Sequence, residues 1–299
     1  MSKYRGSPLG IKLIISLYTL FGYGGVKWLI WLVALFYAFI SRKKRFELNS
    51  YYKAIGLPCT LGTYLHHIYA FSLNIFDRFV AKEGMQESRI AVERINVNSF
   101  QKIHASGGML VLSHHGNWAQ SFKIFQTFDV RLNIVGDEAI DDGIKKLETE
   151  GEANRRINII SMKNGMQAIL DIARAINNKE ILIIMVDRIR SDNKTVEVDF
   201  LGRKTLLNSG AFEIAQMRNI PIVGCDIVRD GDEKLKIQFS DIIASQKEGK
   251  KEAVLDLAQQ YANFLERVVR EYPLQWFNFY EFWPTEKPNQ NSTEKRSDK

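Results

Sequence analysis

The chain has 299 residues, 45% of them hydrophobic, so it can bury a substantial core, and its composition excludes disordered and fibrous proteins. Its formal net charge of +7 favours an anionic partner, which could be nucleic acid, membrane lipid or an acidic carrier protein. Cys59 and Cys225 stand far apart without CxxC or histidine spacing, which argues against a disulfide scaffold or a zinc site.

The N-terminus carries a long apolar segment. From Ile11 to Ile40 almost every residue is apolar or aromatic, and the basic cluster Arg42-Lys43-Lys44-Arg45 follows. We predict a membrane-associated helical segment over residues 1–45, bent at Gly22-Tyr23-Gly24-Gly25. The stronger run, Trp28–Ile40, is shorter than the ~20 residues of a clean span, so an interfacial hairpin and a span assisted by Lys27 both remain open. In either arrangement the basic cluster is expected on the cytoplasmic side.

The remainder predicts one domain over residues 46–285 and a disordered polar tail over residues 286–299. Phe46–Val80 has helical spacing of apolar residues. Beyond about Ile95, short apolar runs alternate with helical patterns, which is typical of an α/β fold with a central sheet. The predicted strands are Met109–Leu112, Arg131–Val135, Ile157–Ile160, Ile181–Val186, Val196–Phe200, Ile222–Val228 and Leu235–Phe239, and the predicted helices are Ala119–Phe128, Asp141–Ala153, Asn164–Asn177, Ser209–Arg218 and Lys251–Glu271.

The segment Ser113-His114-His115-Gly116-Asn117-Trp118 carries the clearest chemical signal. A buried strand delivers His114 to its C-terminal end, where α/β sheets bind ligands. A neutral imidazole there is suited to act as a general base near neutral pH. From spacing alone, a structural histidine with both nitrogens bonded is an equal alternative.

This segment resembles the HxGNWE-type block of the lipid A biosynthesis acyltransferases, relatives of the glycerolipid acyltransferases. Other blocks resemble that family in order and spacing, and the apolar N-terminus resembles its membrane anchor. These blocks are Ile75-Phe76-Asp77-Arg78, Ile184-Met185-Val186-Asp187-Arg188, Phe200-Leu201-Gly202-Arg203 with Ser209-Gly210-Ala211-Phe212, and Trp276-Phe277-Asn278-Phe279-Tyr280.

The resemblance implies a central mixed sheet flanked by helices and an acyl transfer that uses neither metal nor cofactor. The donor would be a carrier-protein or CoA thioester, and the acceptor a hydroxyl of lipid A or a related glycolipid at the cytoplasmic face of a bacterial inner membrane. The implied catalytic residues are His114 as base with Asp187 and Arg188, and the implied substrate-binding residues are His115, Asn117, Trp118 and Arg203. Some of these have simpler interpretations: a turn and helix cap for Asn117, core packing for Trp118, and a solvated loop position for Arg203.

The sequence departs from the family at the acidic position of the motif. Counting from His114, Ala119 occupies that position, and counting from His115, Gln120 does. Three explanations follow: Asp187 or Asp77 orients the histidine instead, the chain is a non-catalytic relative, or the transferred group is unusual. The last explanation draws on relatives that move an aminoacyl group such as glycine and lack the standard acid.

Two rival functions come from other classes of protein. A membrane-bound scaffold without catalysis is one, and a nucleic-acid binder is the other. We expect no nucleic-acid partner, because the basic residues cluster beside the apolar segment rather than in a basic-aromatic stripe. Other amphiphiles, such as ornithine, glycine or polyene-type lipids, remain open as acceptors.

Overall fold

A computed structural model describes residues 8–82, 91–118, 130–136, 157–189 and 194–283. The strands are β1 Ala91–Ile95, β2 Gly108–Leu112, β3 Leu132–Gly136, β4 Ile157–Ser161, β5 Ile181–Met185, β6 Thr195–Phe200, β7 Arg203–Asn208, β8 Ile222–Arg229 and β9 Lys234–Ile243. The α-helices are α1 Pro8–Ile40, α2 Lys44–Glu47, α3 Asn49–Ala54, α4 Leu61–Lys82, α5 Val97–Ser106, α6 Met166–Asn177, α7 Gly210–Arg218 and α8 Lys250–Glu271.

The centre of the molecule is a seven-stranded mixed sheet in the order β1-β9-β8-β2-β5-β3-β4. Strands β8, β2, β5, β3 and β4 are parallel to one another. Strand β9 pairs antiparallel with β8, and β1 pairs parallel with β9 at the edge of the sheet. Strands β2 and β5 are continuous apolar runs that are buried on both faces of the sheet, as is usual for central parallel strands. This architecture confirms the predicted α/β class with helices flanking a mixed sheet.

The pairing of β2 with β5 sets the position of the site. These neighbours are parallel, with Leu112 opposite Met185. Two residues past that pair, His114 and Asp187 leave the sheet at the same edge. The carboxyl ends of central parallel strands are where α/β sheets bind ligands.

Helix α1 bends at Gly22, whose φ of 63° and ψ of −159° are not helical. Glycine tolerates this backbone conformation, and the observed kink falls within the predicted bend. Of the described helices, one stretch is long and apolar enough to cross a bilayer: Ser16–Ile40, with 25 residues, most of which are not buried in the protein. Beside the kink, Tyr18, Val26 and Ile30 pack against α4, so one side of the apolar helix belongs to the protein core.

Several predicted elements differ from the structure. The helix expected over Phe46–Val80 is divided into α2, α3 and α4. Between α3 and α4, Gly56 takes a positive φ of 74° and Pro58 follows it. Val196–Phe200 is a strand, but it pairs with β7 in a separate two-stranded hairpin. Elements β1, α5 and β7 were not predicted. The helices expected over Ala119–Phe128 and Asp141–Ala153, and the tail 286–299, lie outside the described residues.

Candidate active site

His114 and Asp187 form a hydrogen-bonded pair. The His114 Nδ1 lies 2.8 Å from Asp187 Oδ1, and the His114 backbone N–H donates to Asp187 Oδ2 over 2.9 Å. Because an ionised carboxylate only accepts hydrogen bonds, this contact places the imidazole proton on Nδ1. The other ring nitrogen, Nε2, is then the basic atom.

Further donors hold the Asp187 carboxylate. Its Oδ2 also accepts from Asn278 Nδ2 over 2.8 Å and from Trp276 Nε1 over 3.2 Å, and the residue is fully buried. Burial alone would raise the pKa of this carboxyl, but the His114 imidazole and the N–H donors outweigh it and lower the pKa to about 2. The carboxylate is therefore ionised at neutral pH.

The His114 side chain is the accessible member of the pair, with 16% exposure against 0% for Asp187. No hydrogen bond joins its Nε2 to any described residue. The half-buried Trp118 ring stands edge-on to the imidazole, with ring centroids 6.2 Å apart. The partly exposed imidazole and the Trp118 ring thus lie side by side, and the substrate contact expected for Trp118 stays a prediction.

His115 faces the interior. Its Nδ1 lies 2.8 Å from Asp226 Oδ1, its Nε2 lies 3.0 Å from the Tyr272 carbonyl oxygen, and its ring is fully buried. Burial alone would lower the pKa of His115, but Asp226 and the carbonyl outweigh it and raise the pKa. Both ring nitrogens of His115 are therefore occupied within the protein, and neither is left for the substrate contact expected of this residue. Its interactions are those of a buried imidazolium–carboxylate pair.

Asn117 also faces inward, as its simpler interpretation as a residue that organises the turn expects. It is 1% exposed, and its Nδ2 donates to Asp77 Oδ2 over 2.7 Å. Asp77 in turn binds the Arg229 guanidinium and the Tyr23 hydroxyl of the kinked helix. Asp77 therefore ties the turn after His114 to α1, while Asp187 is the carboxylate bonded to the histidine.

Arg188 and Arg203 occupy different surroundings. Arg188 donates from Nε to Asn278 Oδ1 over 3.0 Å and from one terminal nitrogen to the Phe277 carbonyl oxygen over 3.1 Å. It is exposed directly beside the His114–Asp187 pair. Arg203 lies on β7 with its guanidinium 5.7 Å from the centre of the Trp283 ring. The structure thus brings Arg188 to the pair, while Arg203 belongs to the hairpin and its aromatic neighbours.

Sequence reasoning missed the contributions of Trp276 and Asn278 to this site. Their segment was noted for its resemblance to a family block, but no role was assigned to it. A single asparagine between aromatic residues was the available signal, since a buried amide must find hydrogen-bond partners. Ala119, at the acidic position of the motif, lies outside the described residues. Among the residues that are described, no three His, Cys, Asp or Glu side chains group as a metal site needs.

Comparison with known proteins gives a family. The family model described as bacterial lipid A biosynthesis acyltransferase matches residues 76–285, which include His114, Asp187 and Asn278. A search of curated proteins found no match. Among solved structures, the chain is similar to the 1-acyl-sn-glycerophosphate acyltransferase PlsC from Thermotoga maritima, with 12% identity, a TM-score of 0.40, and coverage of 82% of this chain and 96% of that chain. The family match covers more than half of the sequence, and the chain therefore belongs to the bacterial lipid A biosynthesis acyltransferases.

Proposed function

We propose that this acyltransferase moves an acyl group from a carrier-protein or CoA thioester to a hydroxyl of lipid A or a related glycolipid. The observation that carries the proposal is the His114–Asp187 pair, with 2.8 Å between Nδ1 and Oδ1, at the carboxyl ends of two adjacent parallel strands. A buried carboxylate that fixes the tautomer of a histidine leaves the exposed nitrogen ready to take a proton. Asp187 thereby supplies the carboxylate that the motif lacks at Ala119.

In the proposed reaction, Nε2 of His114 takes the proton of the acceptor hydroxyl. The hydroxyl oxygen attacks the thioester carbonyl carbon, and a new carbon–oxygen bond forms. When the tetrahedral intermediate collapses, the carbon–sulfur bond breaks and the sulfur leaves with its electron pair. The imidazolium returns its proton to the thiolate, so the products are an ester and a free thiol, and His114 is neutral again.

Arg188 is suited to stabilise the negative charge that develops on the thioester oxygen. Its guanidinium is exposed beside the pair, and two of its three nitrogens are held by the segment after α8. The third nitrogen, Nη1, has no hydrogen-bond partner among the described residues. A charged donor held in place before the reaction lowers the barrier without reorganising during it.

A location at the cytoplasmic face of the inner membrane is part of the proposal. The apolar helix Ser16–Ile40 and the membrane-lipid chemistry of the family support association with a membrane. The basic cluster that follows the helix supports the cytoplasmic side. There an acidic carrier protein or CoA thioester and an amphiphilic acceptor can meet at one site.

The test is mass spectrometry of the lipids of a strain that lacks the gene, complemented with variants. We expect one lipid to lose a mass increment on deletion, to regain it with the wild-type chain, and to stay without it for His114→Ala. The matched control is His66→Ala, which removes an exposed histidine of α4 bonded only to the Gly62 carbonyl among the described residues. The mass of the increment distinguishes a fatty acyl group from an aminoacyl group such as glycine.

Two outcomes would contradict the proposal. If deletion changes no lipid, the chain acts as a non-catalytic relative. If His114→Ala restores the increment as well as His66→Ala does, His114 is not the base.

A further inference from the structure

The segment after α8 brings one amide side chain into the site, that of Asn278. We propose that Asn278 is a positioning residue, held by Arg188, that fixes the Asp187 carboxylate so that it keeps the His114 proton on Nδ1. The inference rests on the proposed function, because it gives a role to a residue that supports the same base.

Asn278 bridges two residues that follow strand β5, Asp187 and Arg188. Its Nδ2 donates to Asp187 Oδ2 over 2.8 Å, and its Oδ1 accepts from Arg188 Nε over 3.0 Å. The side chain is 2% exposed, so water does not compete for either bond. Bonds between an amide and a charged partner in such surroundings are stronger than those between neutral groups.

The orientation of the amide is determined by its partners. A guanidinium only donates and an ionised carboxylate only accepts. With the amide rotated by half a turn, an oxygen would face the Asp187 carboxylate and an N–H group would face Arg188. Both contacts would be repulsive, so Arg188 locks the Asn278 N–H group towards Asp187.

Hydrogen bonds also fix the backbone of the segment that contains Asn278. Phe277 N–H donates to the His114 carbonyl oxygen over 3.0 Å, and Trp276 forms an antiparallel bridge with His115. Arg188 also donates to the Phe277 carbonyl oxygen over 3.1 Å. Asn278 is therefore fixed relative to both strand ends, which is the condition for orienting a group that lies between them.

The consequence for the carboxylate follows from its geometry. Asn278, Trp276 and the backbone N–H of His114 all donate to Oδ2, which leaves Oδ1 to the imidazole. A carboxylate held in this way cannot rotate away from Nδ1. Other ionisable groups near Asp187 are Arg188 and Tyr280, whose hydroxyl donates to the Asp187 backbone carbonyl oxygen over 3.2 Å. His115 and Tyr261 interact with Asp187 electrostatically.

The decisive variant is Asn278→Asp. Aspartate has nearly the same size, and it keeps an acceptor for Arg188, but it replaces the N–H donor that faces Asp187 with an oxygen. The variant therefore removes one hydrogen bond to Asp187 and places a second carboxylate beside it, and like charges at this distance repel. The matched control is Asn263→Asp, at an exposed asparagine on α8.

Two measurements are made on the full-length chain. The first is the rate at which the lipid product accumulates in the complemented deletion strain. The second is nuclear magnetic resonance of the ¹⁵N-labelled histidine rings in detergent micelles, which needs no substrate. The chain has five histidines, so the His114 signal is identified by its loss in His114→Ala.

We expect Asn278→Asp to lower the rate of product formation by roughly 10- to 100-fold, as for a lost bond to a buried charge. The Nδ1–H signal of His114 should broaden or disappear in this variant, and Asn263→Asp should match the wild type in both measurements. An unchanged rate together with an unchanged Nδ1–H signal would overturn the inference. If melting curves show that Asn278→Asp is unfolded, Arg188→Leu is the second variant, because it removes the guanidinium that orients the Asn278 amide. An intact Nδ1–H signal of His114 in Arg188→Leu would also overturn the inference.

The two proposals fail in different ways. If His114→Ala still makes the product, the proposed base is wrong, and the ring signals still report whether Asn278 positions Asp187. If His114→Ala makes none while Asn278→Asp leaves rate and signal unchanged, the function stands and the role of Asn278 is wrong.

Discussion

The Asp187 carboxylate is fully buried and accepts four hydrogen bonds, and its two oxygens have different partners. Oδ2 accepts the three donors that fix the carboxylate, and Oδ1 accepts the proton of His114. An amide at this position has one acceptor atom and one donor group, so it can accept from the three donors but cannot also accept the proton of His114.

We therefore predict that Asp187→Asn keeps the fold and loses the activity. The three donors require the amide oxygen on their side, which turns the NH2 group towards Nδ1 of His114. The imidazole proton then moves to Nε2, the atom that must accept the substrate proton. From the effect of this change in hydrolase triads, we expect a loss of about 10⁴-fold in product formation. Asp199→Asn, at an exposed carboxylate, is the control, and comparable activity in both variants would contradict the role of Asp187.

At the scale of elements, His67 joins three parts of the chain that are distant in sequence. From α4, its Nδ1 lies 3.1 Å from the Tyr52 hydroxyl of α3, and its Nε2 lies 3.0 Å from the Trp276 carbonyl oxygen. Burial lowers the pKa of His67 from 6.5 to about 4. The folded protein therefore keeps this ring neutral at a pH where the unfolded chain protonates it.

The pH dependence of stability follows from this difference. Above pH 6.5 the ring is neutral in both states, and as the pH falls towards 4 the unfolded state gains protons first, so stability falls. We predict that the melting temperature of wild type minus that of His67→Gln decreases between pH 6.5 and pH 4. Taking the difference cancels the titration of His115, whose raised pKa acts in the opposite direction. A difference that is constant across this range would refute the prediction.

At the scale of the whole molecule, the apolar helix proposed to contact the membrane is also part of the fold. Tyr23 lies in a core cluster with Leu73 and Phe76, and its hydroxyl binds the buried Asp77–Arg229 pair. Removing α1 would expose that cluster and bring water to a buried ion pair. The predicted boundary between residues 45 and 46 therefore does not mark a segment that can be removed without cost.

We predict that deleting residues 1–45 lowers the melting temperature in detergent by several degrees or causes aggregation, since a loss of about 1 kcal/mol shifts it by roughly 2–4 °C in a domain of this size. Deleting residues 286–299 is the control and should leave the melting temperature unchanged. A truncated chain that melts like the full-length protein would show that the helix serves the membrane alone.

Much of this arrangement could be predicted from local sequence, and the rest depends on long-range pairing. The apolar runs before His114 and Asp187 predict two buried strands that end in polar residues, and the glycines near Tyr23 predict the bend in α1. The choice between Asp187 and Asp77 stayed open, because it depends on the parallel pairing of β2 with β5, which has no local signal. Asn278 was missed because it reaches Asp187 from 91 residues away, in a segment without periodic spacing.

The antiparallel bridge between His115 and Trp276 has a consequence for the order in which the chain is made. Chains leave the ribosome N-terminal end first, so the apolar helix emerges well before the segment that holds Asp187. The chain can therefore reach the membrane before its base is fixed. A nascent or prematurely terminated chain that lacks Trp276 and Asn278 would also lack two of the donors that hold Asp187, so under our proposal activity begins only after these residues have been added.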